Sequence, residues 1–342
     1  MTKITIRKLT KYLFICFLIF SMSNQETNLF LNKINNPYFR RNDYVNNAIS
    51  NKRKTENKEN SVTLLTTGKK GEEINILDGT KFNYLPSEVY INDSKENLGQ
   101  VTKVNLTQDG QNEIKIKWDN AIQDCEYMFY DCKSLINIDM SKFDSSLITS
   151  MKGMFYGCIN VSSINLTNFN TSSVIDMEKV FTDCRELKNL DVSKFNTTST
   201  RSFSQMFLDC FLLTSLDVSK FDTSSATTME RMFEFCYSLT FLDVSKFNTT
   251  LIRSFSGMFS NCYALNSLDV SNFDTSSVTM MDWMFSTCQS LTSLDVSKFN
   301  TSSTQSFSGM FSMCESLTNL DVSNFDISSF TSMDWMFPIV KI

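Results

Sequence analysis

Two residue columns in this 342-residue chain carry groups that could do chemistry. The first is a set of thiols: Cys132, Cys158, Cys184, Cys210, Cys236, Cys262, Cys288 and Cys314 recur at intervals of 26 residues, with Cys125 and Cys16 outside the register. The second is a set of carboxylates at one position of the same period: Asp139, Asp191, Asp217, Asp243, Asp269, Asp295 and Asp321, with Asn165 filling the remaining place. There is no histidine, so the commonest general base and the commonest zinc ligand are both missing. No nucleophile is paired with a base, no phosphate loop occurs, and the cysteines lack the clustered C-x-x-C spacing of a thiolate metal site. The expectation is a non-enzyme, with no catalytic residue, no cofactor and no metal.

The thiols could form disulfides if the chain is exported. The nine cysteines left after removal of Cys16 cannot all pair within one chain, and each in-register thiol has two equivalent neighbours. Buried free thiols, packed as small apolar groups, are the favoured reading. For the carboxylates, the plain reading is a solvated polar face, offset by Lys142, Lys194, Lys220, Lys246 and Lys298 three residues later. The sharper reading is a face that binds a divalent cation or a basic partner, because like charges at roughly 5 Å steps repel unless compensated.

The elements that position these columns follow from the repeat. Met-Phe pairs start at Met128, Met154, Met206, Met232, Met258, Met284, Met310 and Met336, with Val180-Phe181 standing in once. A fixed period in the twenties signals stacked units, none able to bury its apolar face alone. Within one unit, Leu291, Leu294, Val296 and Phe299 follow L-x-x-L-x-V-x-x-F, and Leu294 and Val296 alternate with Asp295 and Ser297 as in a strand. Asn300 to Ser303 supply turn and cap residues. Thr304, Phe307, Phe311 and Cys314 then recur at spacings of three, four and three, which predicts a short helix. The expected fold class is therefore an α/β solenoid, with a parallel sheet about 40 Å long on one face and short helices on the other. The column Phe143, Phe169, Phe195, Phe221, Phe247, Phe273, Phe299 and Phe325 is expected to form an interior aromatic spine. Trp283 and Trp335 occupy matching positions on alternate predicted helices, either as contact residues or partly packed between helices.

From residue 196 the units alternate in pairs, so the duplicated module there is 52 residues. Asn196, Asn248 and Asn300 begin N-T-T or N-T-S sequons, and further sequons lie at Asn92, Asn105, Asn160, Asn165 and Asn170. They are glycan acceptors only in a secretory pathway that uses them.

Outside the repeats, Lys3, Arg7, Lys8 and Lys11 precede an apolar run from Tyr12 to Phe20, with Ser21 and Ser23 beyond it. This reads as a signal peptide over 1–23, and nine apolar residues are too few to span a bilayer. Residues 24–60 read as a solvated Asn/Lys-rich arm, 61–120 as a β-rich N-terminal cap, and 121–342 as eight complete repeats plus a partial ninth. The repeat region carries 24 acidic and 14 basic side chains, which disfavours nucleic-acid partners.

SLTSLDVSKFNTSST and its neighbours resemble the BspA-like leucine-rich-repeat surface proteins with 26-residue units of the form SLxxLDVSxFDTSSVTxMxxMFxxC. The resemblance covers residues 121–342. It implies a surface protein that adheres to host proteins or to other cells, and the expected function of the chain is secreted or cell-surface binding of extracellular proteins or glycans, adhesively and without catalysis. Asp139, Asp191, Asp217, Asp243, Asp269, Asp295, Asp321, Trp283 and Trp335 are its candidate binding residues. The alternative is a self-associating coat or matrix protein that uses the C-terminal end of the array, where no polar cap or surface anchor is visible.

Overall fold

A computed structural model describes residues 59–96, 101–328 and 331–337. The signal-like segment and nearly all of the basic arm lie outside these residues. Eight strands are present: β1 (Ser61–Gly68), β2 (Glu73–Asn75), β3 (Glu88–Ile91), β4 (Ser94–Lys95), β5 (Lys103–Asn105), β6 (Gly110–Lys117), β7 (Leu135–Asp139) and β8 (Ser163–Asn165). β1 and β6 are long antiparallel partners, with Val62 opposite Ile116 and Leu64 opposite Ile114. All four of these side chains are buried, because period-2 alternation sends them to one face. The other edge of β1 pairs antiparallel with β7, the first strand of the repeats, and β7 pairs parallel with β8. The resulting sheet, ordered β4-β3-β6-β1-β7-β8, joins the N-terminal strands to the first coil through backbone bonds.

Beyond β8 the 26-residue units stack as coils of extended and turn backbone. The helices expected on the Met-Phe side are absent: no described residue is helical. The α/β assignment is therefore overturned, for a reason visible in the backbone. In each of the eight complete coils the residue before the Met (Val180 in one of them) and the second residue after the Phe have left-handed φ, for example Arg231 (55°) and Phe235 (61°), or Gly257 (64°) and Asn261 (60°). An α-helix cannot pass through such residues. The alternate N–H groups of this segment instead reach the next coil. Tyr127, Phe129 and Asp131 donate to the carbonyls of Lys152, Met154 and Tyr156, each at 2.8 Å. The intervening amides close tight turns: Met128 donates to Cys125, Tyr130 to Tyr127 and Cys132 to Phe129. These successive i to i−3 closures put Met, Phe and Cys on the interior at three-and-four spacings, which is why the pattern imitates a helix.

The two sides of the coil thus exchange the roles the sequence suggested. The Leu side forms regular strands only at β7 and β8, and later coils show single parallel bridges there, Asn189 to Ser215 and Ser293 to Asn319. The Met-Phe side carries the longer ladder, with parallel bridges linking Ser150, Asp176, Ser202 and Thr228, and then Ser254, Met280, Ser306 and Ser332.

Between the two sides lies one continuous apolar core. Its unbroken aromatic stack is the Phe of the Met-Phe pairs, from Phe129 to Phe337, with ring centroids 5.5 to 5.8 Å apart and planes within 4 to 9° of parallel. The other column, Phe143 to Phe299, is buried, and Phe325 is half-buried. In that column Phe143 stacks on Phe169, while Phe221, Phe273 and Phe325 pair with Phe203, Phe255 and Phe307 of the preceding coil. Those pairs occur in alternate coils and supply a physical basis for the 52-residue module. The nine cysteines from Cys125 to Cys314 are buried free thiols. Each in-register thiol from Cys158 onward donates to the carbonyl of the Phe 29 residues earlier, at 3.0 to 3.3 Å. Burial pushes these thiols up, Cys262 to about 12 and Cys314 to about 11, so neither is a thiolate at neutral pH.

Candidate binding face

The carboxylate column lies on the Leu side, where the extended segment of each coil ends. The structure assigns it a local task. The Oδ1 of Asp139, Asp191, Asp217, Asp243, Asp269, Asp295 and Asp321 accepts the backbone N–H of the Ser two residues on, at 2.8 to 3.1 Å. This is the side-chain-to-backbone turn that Asp and Asn favour. The serine hydroxyl, and after it the serine amide, hold the carboxyls from Asp191 to Asp321 below the ordinary aspartate range. Asn165 makes the same turn through Thr167 and also donates its amide to Asp139 at 3.0 Å. Each aspartate therefore spends one oxygen on its own turn and presents the other outward.

The lysines expected to offset the ladder do so at a distance. Lys194, Lys220, Lys246 and Lys298 make no ion pair within 4 Å among the described residues. Their fields still help to lower Asp191, Asp217, Asp243, Asp269 and Asp295. Lys142 instead pairs with Glu59 at 3.6 Å.

Three members of the ladder come together. Asp191, Asp217 and Asp243 line one open groove of about 580 Å³, with Leu190 and Leu216 on its floor and Phe241 on its wall. Phe241 is 62% exposed. It was not among the residues expected to bind, yet its signal is legible. It occupies a column otherwise filled by Asn137, Ser163, Asn189, Ser215, Ser267, Ser293 and Asn319, so it is the one large apolar residue in a polar row. Asp139, Asp269, Asp295 and Asp321 continue the column outside this groove.

Trp283 and Trp335 are not part of this face. They lie on the Met-Phe side, in left-handed turns (φ 58° and 60°) rather than on helices, and are 44% and 71% exposed. Among the described residues no cluster of three or more Cys, Asp or Glu side chains has metal-binding geometry, and no helix is long and apolar enough to cross a membrane.

No curated protein and no solved structure shows a significant match to the chain. The repeats, by contrast, match a family over nearly their whole length. Residues 123–241 and 227–341 each fit the family described as "Mycoplasma protein of unknown function, DUF285", and the chain belongs to that family.

Proposed function

We propose that the chain is an exported, non-enzymatic binding protein, secreted or held at the cell surface. In this reading it adheres to an extracellular protein or glycan through the Leu-side face of its coils. The observation that carries it is the groove in which Asp191, Asp217 and Asp243 stand beside the exposed ring of Phe241. Phe241 is the one large apolar side chain in its polar row, and an aromatic anchor beside ordered charges is a common form of protein-recognition site. The outward oxygens of the ladder favour a partner with basic side chains, and Phe241 gives that partner an apolar contact. The family assignment and the leader-like N-terminus are compatible with display outside the cell.

The test is a binding screen of the mature chain against purified extracellular proteins and glycans. It is repeated with the triple variant D191N/D217N/D243N and with Phe241→Ser. The reading expects a saturable ligand whose affinity falls at least tenfold in both variants and weakens with salt. A ligand bound equally by all three proteins contradicts it. Self-association is the second reading, favoured by Ile327 and Trp335, which are 51% and 71% exposed near the end of the described coils. It predicts a mass that grows with concentration in the absence of any ligand.

A further inference from the structure

Lys194, Lys220 and Lys246 stand three residues after Asp191, Asp217 and Asp243, in three successive coils of the Leu side. Two rows of opposite charge therefore run side by side along this face, each advancing roughly 4.8 Å per coil. Neither row is used up inside the chain. The three aspartates give only Oδ1 to their own turns. The three lysines are exposed and make no ion pair within 4 Å among the described residues.

The lysine position has a use within the fold that these lysines do not take up. Where asparagine replaces lysine, its side-chain amide donates to a serine carbonyl of the preceding coil: Asn168 to Ser141 and Asn272 to Ser245 at 3.0 Å, and Asn324 to Ser297 at 3.3 Å. Among the described residues the three lysine ammonium groups make no such bond. The stretch where lysine is kept in consecutive coils is the stretch that lines the groove with Asp191, Asp217 and Asp243.

We propose that the Leu side pairs with the Leu side of a second copy of this chain. The proposal rests on the binding face assigned above and names its basic partner. A two-fold axis parallel to the direction of stacking, lying between the two rows, sets the Asp row of each copy over the Lys row of the other. Asp191, Asp217 and Asp243 then face Lys194, Lys220 and Lys246 of the second copy, and the reverse pairs form by symmetry. A two-fold axis across the stack would set Asp over Asp, so charge selects the parallel arrangement. The period argues for a second copy over another basic partner. One face of a helix recurs about every 5.4 Å and one face of a strand about every 6.8 Å, and both drift out of step with the ladder. Another stack of the same coils matches it by construction. A face about 40 Å long and about 20 Å wide offers roughly 800 Å² per copy, the size of a standard specific interface.

The experiment is sedimentation equilibrium of the full chain at several protein and salt concentrations. Wild type should reach twice the chain mass in low salt and dissociate as salt rises. D191N/D217N/D243N and K194Q/K220Q/K246Q should each raise the dimer Kd at least tenfold. The lysine variant breaks no bond of the fold, so its unfolding midpoint should equal that of wild type. D191K/D217K/D243K and K194D/K220D/K246D should each be monomeric alone and form a one-to-one dimer when mixed. A wild type that stays monomeric in low salt overturns the proposal. So does a dimer unchanged in K194Q/K220Q/K246Q, or one lost instead in Trp335→Ser. A monomeric wild type whose screened ligand is still lost in D191N/D217N/D243N overturns pairing and leaves the Leu-side reading standing. A dimer that responds as predicted in a chain that retains no screened ligand supports pairing and removes the foreign partner.

Discussion

The Leu side and the Met-Phe side of the coil are built from the same 26-residue period, but they manage polar groups in opposite ways. On the Leu side the carboxylates sit at the surface, capped by serine amides, and their proton affinities are lowered. On the Met-Phe side, Asp176, Asp209 and Glu234 are half-buried or buried and have theirs raised, chiefly by desolvation. Aromatic stacking is continuous on the second side and its bridges run in two stretches of four positions, whereas both are intermittent on the first. The difference teaches that the Met-Phe side is the structural spine, while the Leu side is a row of locally satisfied turns whose outward atoms are free to bind.

The comparison breaks most sharply at the aromatic stack. Phe233 lies between Phe207 and Phe259 with no solvent exposure. Phe233→Ala should cost about 3–5 kcal/mol, read as a loss in the denaturant midpoint. A cost below 1 kcal/mol would mean that the stack is not the spine. Next in size is the buried Thr column, Thr171 to Thr301, that joins each coil to the next. The Thr223 hydroxyl donates to the Asn248 carbonyl at 3.0 Å and accepts the Asn248 amide at 2.7 Å. Thr223→Val removes both bonds at nearly constant volume and should cost about 1–3 kcal/mol. Equal stability of the two proteins would show that these bonds add nothing.

Gly309→Ala places a methyl group in a left-handed turn beneath Trp283. The backbone component alone is about 1–2 kcal/mol, and the indole must also move, which shifts its emission. In a Trp283→Ala background only the backbone component should remain. A penalty identical in both backgrounds would remove the indole from the account.

The smallest effect sharpens the comparison by its sign. Asp217 has a lowered folded pKa. Its carboxylate therefore adds stability above the ordinary aspartate range, and that contribution is lost as pH falls through the folded value. Asp209 has a raised folded pKa, so its charge costs stability at neutral pH, and the cost disappears as pH falls through that raised value. Asp217→Asn should thus be slightly destabilising at pH 7 and neutral under strongly acidic conditions. Asp209→Asn should be stabilising at pH 7, with the gain fading on acidification. The same sign for both in urea titrations at pH 7 would erase the distinction between the sides.

The period, the interior columns and the outward position of the aspartates were legible in the sequence, because each is a statement about which residues recur. The backbone path on the Met-Phe side was not. Phe307, Phe311 and Cys314 keep their spacing in a run of tight turns as readily as in a helix, so periodicity alone could not decide between them. Composition held a clue in the second residue after each Phe. Asp131, Gly157, Asp183, Asp209 and Asn261 are types that tolerate left-handed φ, and five of eight such residues at one position argue against a helix. The turn-capping role of the aspartates was equally available in the Asp-x-Ser spacing of nearly every unit. The groove on the Met-Phe side was hidden, since its lining from Arg231 and Glu234 to Ser312 and Met313 comes together only across four coils.

The central claim is that amides on the Met-Phe side bond across coils rather than along a helix. Scalar couplings through hydrogen bonds, measured by NMR on labelled protein, test it directly at Phe233. The structure predicts coupling between the Phe233 amide and the carbonyl of Met258, its acceptor at 3.0 Å. Coupling to the carbonyl of Met229, four residues earlier, would restore the helix and contradict the account.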